Sequence, residues 1–366
     1  MSPVIPTVWK IDPHTRAKHQ ILEEYLKAWF PILSLRSGRI LYLDGFAGPG
    51  VYEGGEDGSP VIAIKTAANH FLGKQFNEIL FYFIEKDNAR AQTLRQVLQT
   101  RFQVLPKNLK YFVSDAEFAP TLDSVLKNLE KNNARLAPTL AFLDPFGFSG
   151  LPMNLIARML GYNKCEVLIT FMAGFVNRFH DEFREDALDE LFGTTEWRKV
   201  REKRTPEEHE NLLIGSYVSQ LKKVGAKFVR TFEVRGQYNQ LLYYLVFATR
   251  ALKGLQVMKE AMCKVDRRGT YKFSDFTDAD QSFLIDYTEA QTWEPIAAAM
   301  IFEKFKGSTT SVEEIEEFVI AESPFIFRKS ILRLLESSVP PKITSVSQRA
   351  RWGTYPYGCA ITFSAQ

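Results

Sequence analysis

Four carboxylates, Asp44, Glu85, Asp115 and Asp144, each close a short apolar run: Arg39 to Asp44, Ile79 to Glu85, Lys110 to Asp115 and Thr139 to Asp144. An acid at the carboxyl end of a buried strand stands where open α/β sheets bind their ligands. After the first acid the chain reads Gly45-Phe46-Ala47-Gly48-Pro49-Gly50. Glycines at this spacing permit a tight turn and a close backbone approach to a ligand. Ser59-Pro60 then opens a helix, whose unpaired N–H groups suit a carboxylate. The methionine end of S-adenosylmethionine carries such a group. Glu85 has the chemistry to accept two ribose hydroxyls and Asp115 to accept an adenine amino group. The cofactor-binding set is therefore Asp44, Phe46, Ala47, Gly48, Gly50, Glu85 and Asp115, with S-adenosyl-L-methionine as the cofactor. The plainer alternative is that each acid caps the helix that follows it.

Asp144-Pro145-Phe146-Gly147 resembles the Asp-Pro-Pro-Tyr/Phe signature of amino-methyltransferases acting on nucleobases. In that chemistry the carboxylate and the proline carbonyl accept the hydrogens of a weakly nucleophilic amine, and an aromatic ring stacks on the base. Phe146 stands here for the second proline and Gly147 for the aromatic residue. Asp144, Pro145 and Phe146 are the candidate catalytic residues, and Phe146 or Phe148 supplies the ring. A strand-ending Asp-Pro turn is the alternative.

The elements that must position these groups alternate. Apolar strands ending at Asp44, Glu85, Asp115 and Asp144, and a fifth over Glu166 to Phe171, are separated by helical stretches, of which Asn88 to Arg101 is one. Such alternation implies βαβ units and a parallel sheet covered on both faces. Lys227 to Val234 and Leu241 to Ala248 are joined by a short connection and form an antiparallel pair. Five parallel strands plus this hairpin give a seven-stranded Rossmann-like class I methyltransferase plan. A helix over His14 to Leu33 precedes it. A charged, helical insertion at about 175–210 carries Arg178, Arg184, Arg198, Lys199, Arg201, Lys203 and Arg204. It reads equally as a basic lid or as a solvated face.

Texture changes around Val265 to Asp286, which divides the chain into a methyltransferase domain, 1–285, and a tail, 286–366. Three short helices and a β-hairpin make the tail a winged helix-turn-helix. Arg328, Lys329, Arg333, Lys342, Arg349 and Arg351, with Trp352 and Tyr355, interleave basic and aromatic groups in the manner of a nucleic-acid contact. Winged helices serve equally as protein-docking modules.

Bulk composition sets bounds. Of 366 residues, 46 are basic and 43 acidic, for a net charge of +3, which permits a nucleic-acid partner without demanding one. Three cysteines without CxxC spacing give neither a disulfide framework nor a metal site. No signal peptide and no apolar run of membrane-spanning length is legible, so a cytoplasmic location and no membrane partner are expected.

Several separated motifs resemble the three-Cys-motif partner proteins (TcmP): Pro13-His14-Thr15 with Lys18, Tyr42 to Gly50, Gly58-Ser59-Pro60, Phe142 to Gly147, and the tail. The methyltransferase half is also similar to the ribosomal RNA adenine-N6 methyltransferases of the RlmJ kind. The resemblance implies a partner protein whose three cysteines hold an iron–sulfur cluster. It also implies that His14 and Lys18, one helical turn apart, lie near the cleft as substrate-binding residues, the plainer alternative being a surface helix start. Phe148 joins them as a substrate-binding candidate through its ring. Three functions remain open. They are methyl transfer to a nucleic-acid base amine, methyl transfer to a partner protein, and an assembly role for a degenerate methyltransferase fold.

Overall fold

A computed structural model describes residues 7–147, 149–174, 185–201, 205–266, 271–275 and 293–365, with Val200 and Arg201 described for their backbone alone. The chain divides into two compact units, Met1–Ala261 with Phe273–Asp280, and Met262–Lys272 with Gln281–Gln366.

The first unit is built on α1 (Pro13–Ser34), β1 (Arg39–Asp44), α2 (Ser59–Ala68), β2 (Glu78–Glu85), α3 (Asn88–Arg101), β3 (Leu109–Asp115), α4 (Phe118–Lys131), β4 (Thr139–Leu143), α5 (Met153–Gly161), β5 (Cys165–Phe171), α6 (Glu185–Phe192), α7 (Pro206–Lys223), β6 (Phe228–Arg235), β7 (Leu241–Thr249), the first part of α8 (Leu252–Val265), and β8 (Lys272–Ser274). The strands form one sheet in the order β3-β2-β1-β4-β5-β7-β6-β8. β1 to β5 are parallel, and β7 runs antiparallel to both β5 and β6. The sheet thus has eight strands where seven are expected. The addition is a three-residue edge strand, too short to stand out from its polar surroundings in sequence.

Every residue of β4 and of β5 is buried, which is why these runs lack polar alternation. The apolar cluster on this side includes Leu122, Leu143, Ile156, Ile169 and Val246. Each such side chain contributes about 1.5–3 kcal/mol by leaving water. The described part of the expected insertion belongs to the same cluster, through Leu188, Leu191, Phe192 and Trp197. It is therefore core as well as charged surface. Arg178, Arg184, Lys203 and Arg204 lie outside the described residues, as does the side chain of Arg201.

One buried acid anchors α1 to the sheet. Glu166 on β5 accepts from Tyr25 (2.7 Å) and Trp29 (3.0 Å) of α1 and from Thr249 of β7 (2.7 Å). Burial pushes its carboxyl up, and these three donors oppose the shift. A Cβ on Gly254 would come within 2.1 Å of Glu166 Oε1 and would have to displace this hydrogen-bonded carboxylate. The anchor fixes the far half of α1 and thereby aims its first turns, with His14 and Lys18, at the strand ends.

In the second unit, helices α9 (Glu294–Phe305), α10 (Val312–Glu322) and α11 (Lys329–Glu336) pack with a three-stranded sheet, β10 (Ile343–Val346), β11 (Ala360–Phe363) and β9 (Thr309–Ser311), in that spatial order. Ile301, Val312, Ile315, Leu332, Leu335 and Ile361 fill its separate core. Ser311 closes a capping box with Glu314, which fixes the start of α10.

Candidate functional site

Strand order reverses between β1 and β4, the topological switch point at which open α/β sheets form a ligand crevice. A cleft of about 320 Å³ opens there, within the size range of small-molecule sites. Its floor is the β1–α2 turn, with Phe46, Ala47, Gly48, Pro49 and Gly50. Asp144, Pro145 and Phe146 come from the end of β4, His14, Lys18 and His19 from α1, and Tyr243 from β7.

The turn needs its glycines. Gly48 and Gly50 have φ of +61° and +77°, a region costly to residues with a Cβ. At Gly58 a Cβ would lie 2.9 Å from the backbone of Gly50. The two acids expected to touch a ligand support the turn from beneath. Asp44, fully buried, accepts from the Phe46 amide at 3.3 Å, and Glu85 accepts from the Gly48 amide at 2.8 Å and the Asp87 amide at 2.8 Å. Asp44 Oδ2 is a buried oxygen with no partner among the described residues. Burial drives the Asp44 carboxyl up to about 7. The Ser59 side chain and then the Phe46 amide oppose this, and the charges of Asp144 and Glu85 add to it.

Asp115 is a different case. Its carboxylate is half exposed and pairs with Arg95 at 2.5 Å; like Asp44 and Glu85 it stands outside the lining of the cleft. The hydrogen bond and charge of Arg95 hold it below the usual carboxylate range. Arg95 of α3 thus occupies one oxygen of this carboxylate and leaves the other with acceptor capacity.

Asp144 is engaged by Lys18. Lys18, only 6% exposed, donates through its ammonium to Asp144 Oδ2, and that group lies 5.3 Å from the Tyr243 ring centre. Burial alone would raise the Asp144 carboxyl, but the Lys18 charge and hydrogen bond outweigh it and hold the group below its ordinary value. The Pro145 carbonyl accepts from the Gly147 amide at 3.1 Å, a tight turn completed by Gly147 at φ +111°. Phe146 is largely exposed and meets Trp9 edge-on at 5.5 Å; the Arg90 guanidinium lies 5.0 Å from the Trp9 ring and 5.3 Å from that of Phe146. Phe148 lies outside the described residues.

Sequence reasoning missed several members of this site. His19 lines the cleft and is buried; burial, aided by the Lys18 charge, pushes its imidazole down to about 3. Tyr243 caps the first turn of α1, its hydroxyl donating to the His14 carbonyl at 3.0 Å. Asp275, just after β8, bonds the His14 ring at 2.8 Å. The Lys18-His19 pair was visible in sequence, but Tyr243 and Asp275 lie far away along the chain and carry no local signal.

In the second unit several expected contact residues are used internally. Arg349 pairs with Glu336, which also accepts from the buried Tyr355 at 2.6 Å, and Arg333 donates to the Gly353 carbonyl at 2.8 Å. Lys329 lies 5.1 Å from the Tyr357 ring centre and Lys342 4.8 Å from that of Phe302. Arg351 and Trp352 are exposed.

No protein-family profile matches the sequence, and no curated protein does. Among solved structures, the chain is similar to Trm1 from Pyrococcus horikoshii in complex with S-adenosyl-L-methionine, at 14% identity and a TM-score of 0.37. That match covers 71% of this chain and 62% of Trm1. A second likeness, to EvdMO1, has 14% identity and a TM-score of 0.32, covering 67% of this chain and 42% of that one. The chain thus spans less than two thirds of either structure. No described helix is long and apolar enough to cross a membrane.

Proposed function

We propose that this chain is an S-adenosylmethionine-dependent methyltransferase that modifies a nucleic-acid base amine. One observation carries the reading: the Gly48-Pro49-Gly50 turn and Asp144-Pro145-Phe146 face one cleft at the switch point between β1 and β4. The residues fit the cofactor. Phe46 to Gly50 would cradle its amino-acid end. The buried Asp44 Oδ2 is an acceptor left without a hydrogen bond beneath the turn; its carboxyl, raised to about 7, would ionise against a cationic group brought there. Glu85 uses two of its roughly four acceptor sites and keeps capacity for ribose hydroxyls. When bound, the cofactor supplies an electrophilic methyl group.

The chain's own part is positioning and desolvation. Lys18 keeps Asp144 ionised and fixed, so that its carboxylate can accept an amine hydrogen. Pro145 O retains one lone pair beyond the Gly147 amide for a second hydrogen. Phe146, outermost, would stack on the base. The roles of His14, Lys18 and Phe148 as substrate contacts belong to this same reading, as does a methyltransferase domain at 1–285 followed by a winged helix at 286–366. The order helix, strand, two helices, two strands in the tail supports the latter.

The occupied state of Asp144 and of Pro145 O favours one second reading, an assembly role beside the three-Cys-motif protein that the resemblance implies. Incubation with methyl-labelled S-adenosylmethionine and total RNA, DNA or protein decides. Label in nucleic acid that disappears in Asp144→Ala, with cofactor binding kept, is expected; label confined to protein contradicts the base-amine target.

A further inference from the structure

Methylation of an amine leaves a proton to be removed, and Asp144 is poorly suited to take it. Its carboxylate is paired with Lys18 and held below the usual range, so it is a weak proton acceptor. The cleft holds a better one. His14 lines it with its side chain 21% exposed, and its Nδ1 lies 2.8 Å from Oδ2 of Asp275, whose side chain is 8% exposed.

An ionised carboxylate can only accept a hydrogen bond. Nδ1 of the neutral ring must therefore carry the proton, which leaves Nε2 with a free lone pair. The ring is held from two directions. Asp275 itself is fixed by its amide, which donates to the Arg235 carbonyl of β6 at 3.1 Å. Tyr243 of β7 binds the His14 carbonyl at 3.0 Å and meets the ring edge-on at 6.0 Å. Asp12, at the helix start, stands 3.8 Å from Nε2, beyond hydrogen-bond reach, and so leaves its lone pair open. Lys18 and Asp144 line the same cleft.

We propose that His14 and Asp275 form a proton-accepting dyad, in which Nε2 of His14 takes the proton released by the methylated amine and Asp275 positions the ring. This rests on the methyl-transfer reading. As the nitrogen–carbon bond forms, the carbon–sulfur bond breaks and its electron pair stays on sulfur. The nitrogen, now cationic, gives one proton to the Nε2 lone pair and keeps the N–H bonding electrons, and the resulting imidazolium faces the Asp275 carboxylate. Asp275 is a positioning residue and touches no reacting atom.

The test begins with the wild-type chain, free of cofactor and labelled with ¹⁵N-histidine. At pH 8, NMR is expected to show His14 with protonated Nδ1 and bare Nε2; a protonated Nε2 overturns the dyad. Asp275→Asn presents an amide that can donate to Nδ1 and flip the tautomer. It is expected to lower kcat by about 10- to 100-fold with cofactor affinity unchanged, and to add no further loss in a His14→Gln background. A wild-type kcat in Asp275→Asn overturns the proposal even if the tautomer is as expected. A wild-type chain that transfers no label to any acceptor overturns the methyl-transfer reading instead, while the tautomer still decides the pairing.

Discussion

Lys18, in the second turn of α1, donates directly to Asp144 at the end of β4, 126 residues further along the chain. The pair joins the helix to the strand end that carries the candidate chemistry. Removing either partner leaves the other charge in a poorly solvated place. Lys18→Met is expected to destabilise the fold by about 1–3 kcal/mol at pH 7, and Asp144→Asn is expected to relieve most of that loss. Urea unfolding of the wild type, both single variants and the double variant measures the coupling; strictly additive effects contradict it. The sign with pH follows from the depressed Asp144 carboxyl. Its contribution is present above the ordinary carboxylate value of 3.8 and is lost as pH falls through the lower, folded value.

Asp44 predicts the opposite slope. Its carboxyl is raised from 3.8 to about 7 in the fold, so between those values the folded chain holds a proton that the unfolded chain has released. Stability therefore falls as pH rises through this window. Asp44→Asn removes the effect. At pH 8 it is expected to be more stable than the wild type by about 2–4 kcal/mol, and to be equal to or weaker than it at pH 4. Chemical denaturation at the two pH values checks this, and parallel pH profiles for the two chains contradict it.

Buried His19 adds a separate acid-side term. Its imidazole is pushed from 6.5 to about 3, so the unfolded chain takes up a proton that the folded chain refuses. Stability on this account rises between those values as pH increases. Over pH 4 to 6 this term opposes that of Asp44, so His19→Gln is expected to shift the slope of thermal stability with pH in the falling direction relative to the wild type; an unchanged slope contradicts it.

Gly58 and Gly50 separate two kinds of glycine demand. At Gly58 a Cβ meets the Gly50 backbone at 2.9 Å, and at Gly50 it meets the movable tip of Leu94 at 2.6 Å but from φ +77°. Gly50→Ala is expected to cost about 1–2 kcal/mol of backbone strain. Gly58→Ala must displace the turn itself and is expected to abolish cofactor binding while the far-UV spectrum stays native. Full binding by Gly58→Ala contradicts the assignment of the turn.

Much of this was legible in sequence because burial leaves a plain record. Strands such as β5, buried on both faces, read as unbroken apolar runs, and the acids ending β1 to β4 mark the edge where the sheet stops being core. The glycine turn was legible because its backbone excludes other residues. What escaped is what depends on partners distant along the chain. Nothing near Asp115 shows that Arg95 will take its carboxylate, and nothing near Asp275 shows that it will meet His14. The edge strand Lys272–Ser274 was missed because three residues leave no periodicity, and the apolar side of α6 because its charged flanks dominate the composition. The tail shows the same limit, since Arg349 and Tyr355 read as surface groups until Glu336 is seen between them.

The central claim is that the Gly48-Pro49-Gly50 turn and its supporting acids hold S-adenosylmethionine. Calorimetric titration of the full chain with that cofactor tests it most directly, run on the wild type and on Asp44→Ala and Glu85→Ala. Saturable one-site binding by the wild type, strongly weakened in both variants while each remains folded, is the predicted result. No heat of binding in the wild type, or the same affinity in all three chains, would contradict the account.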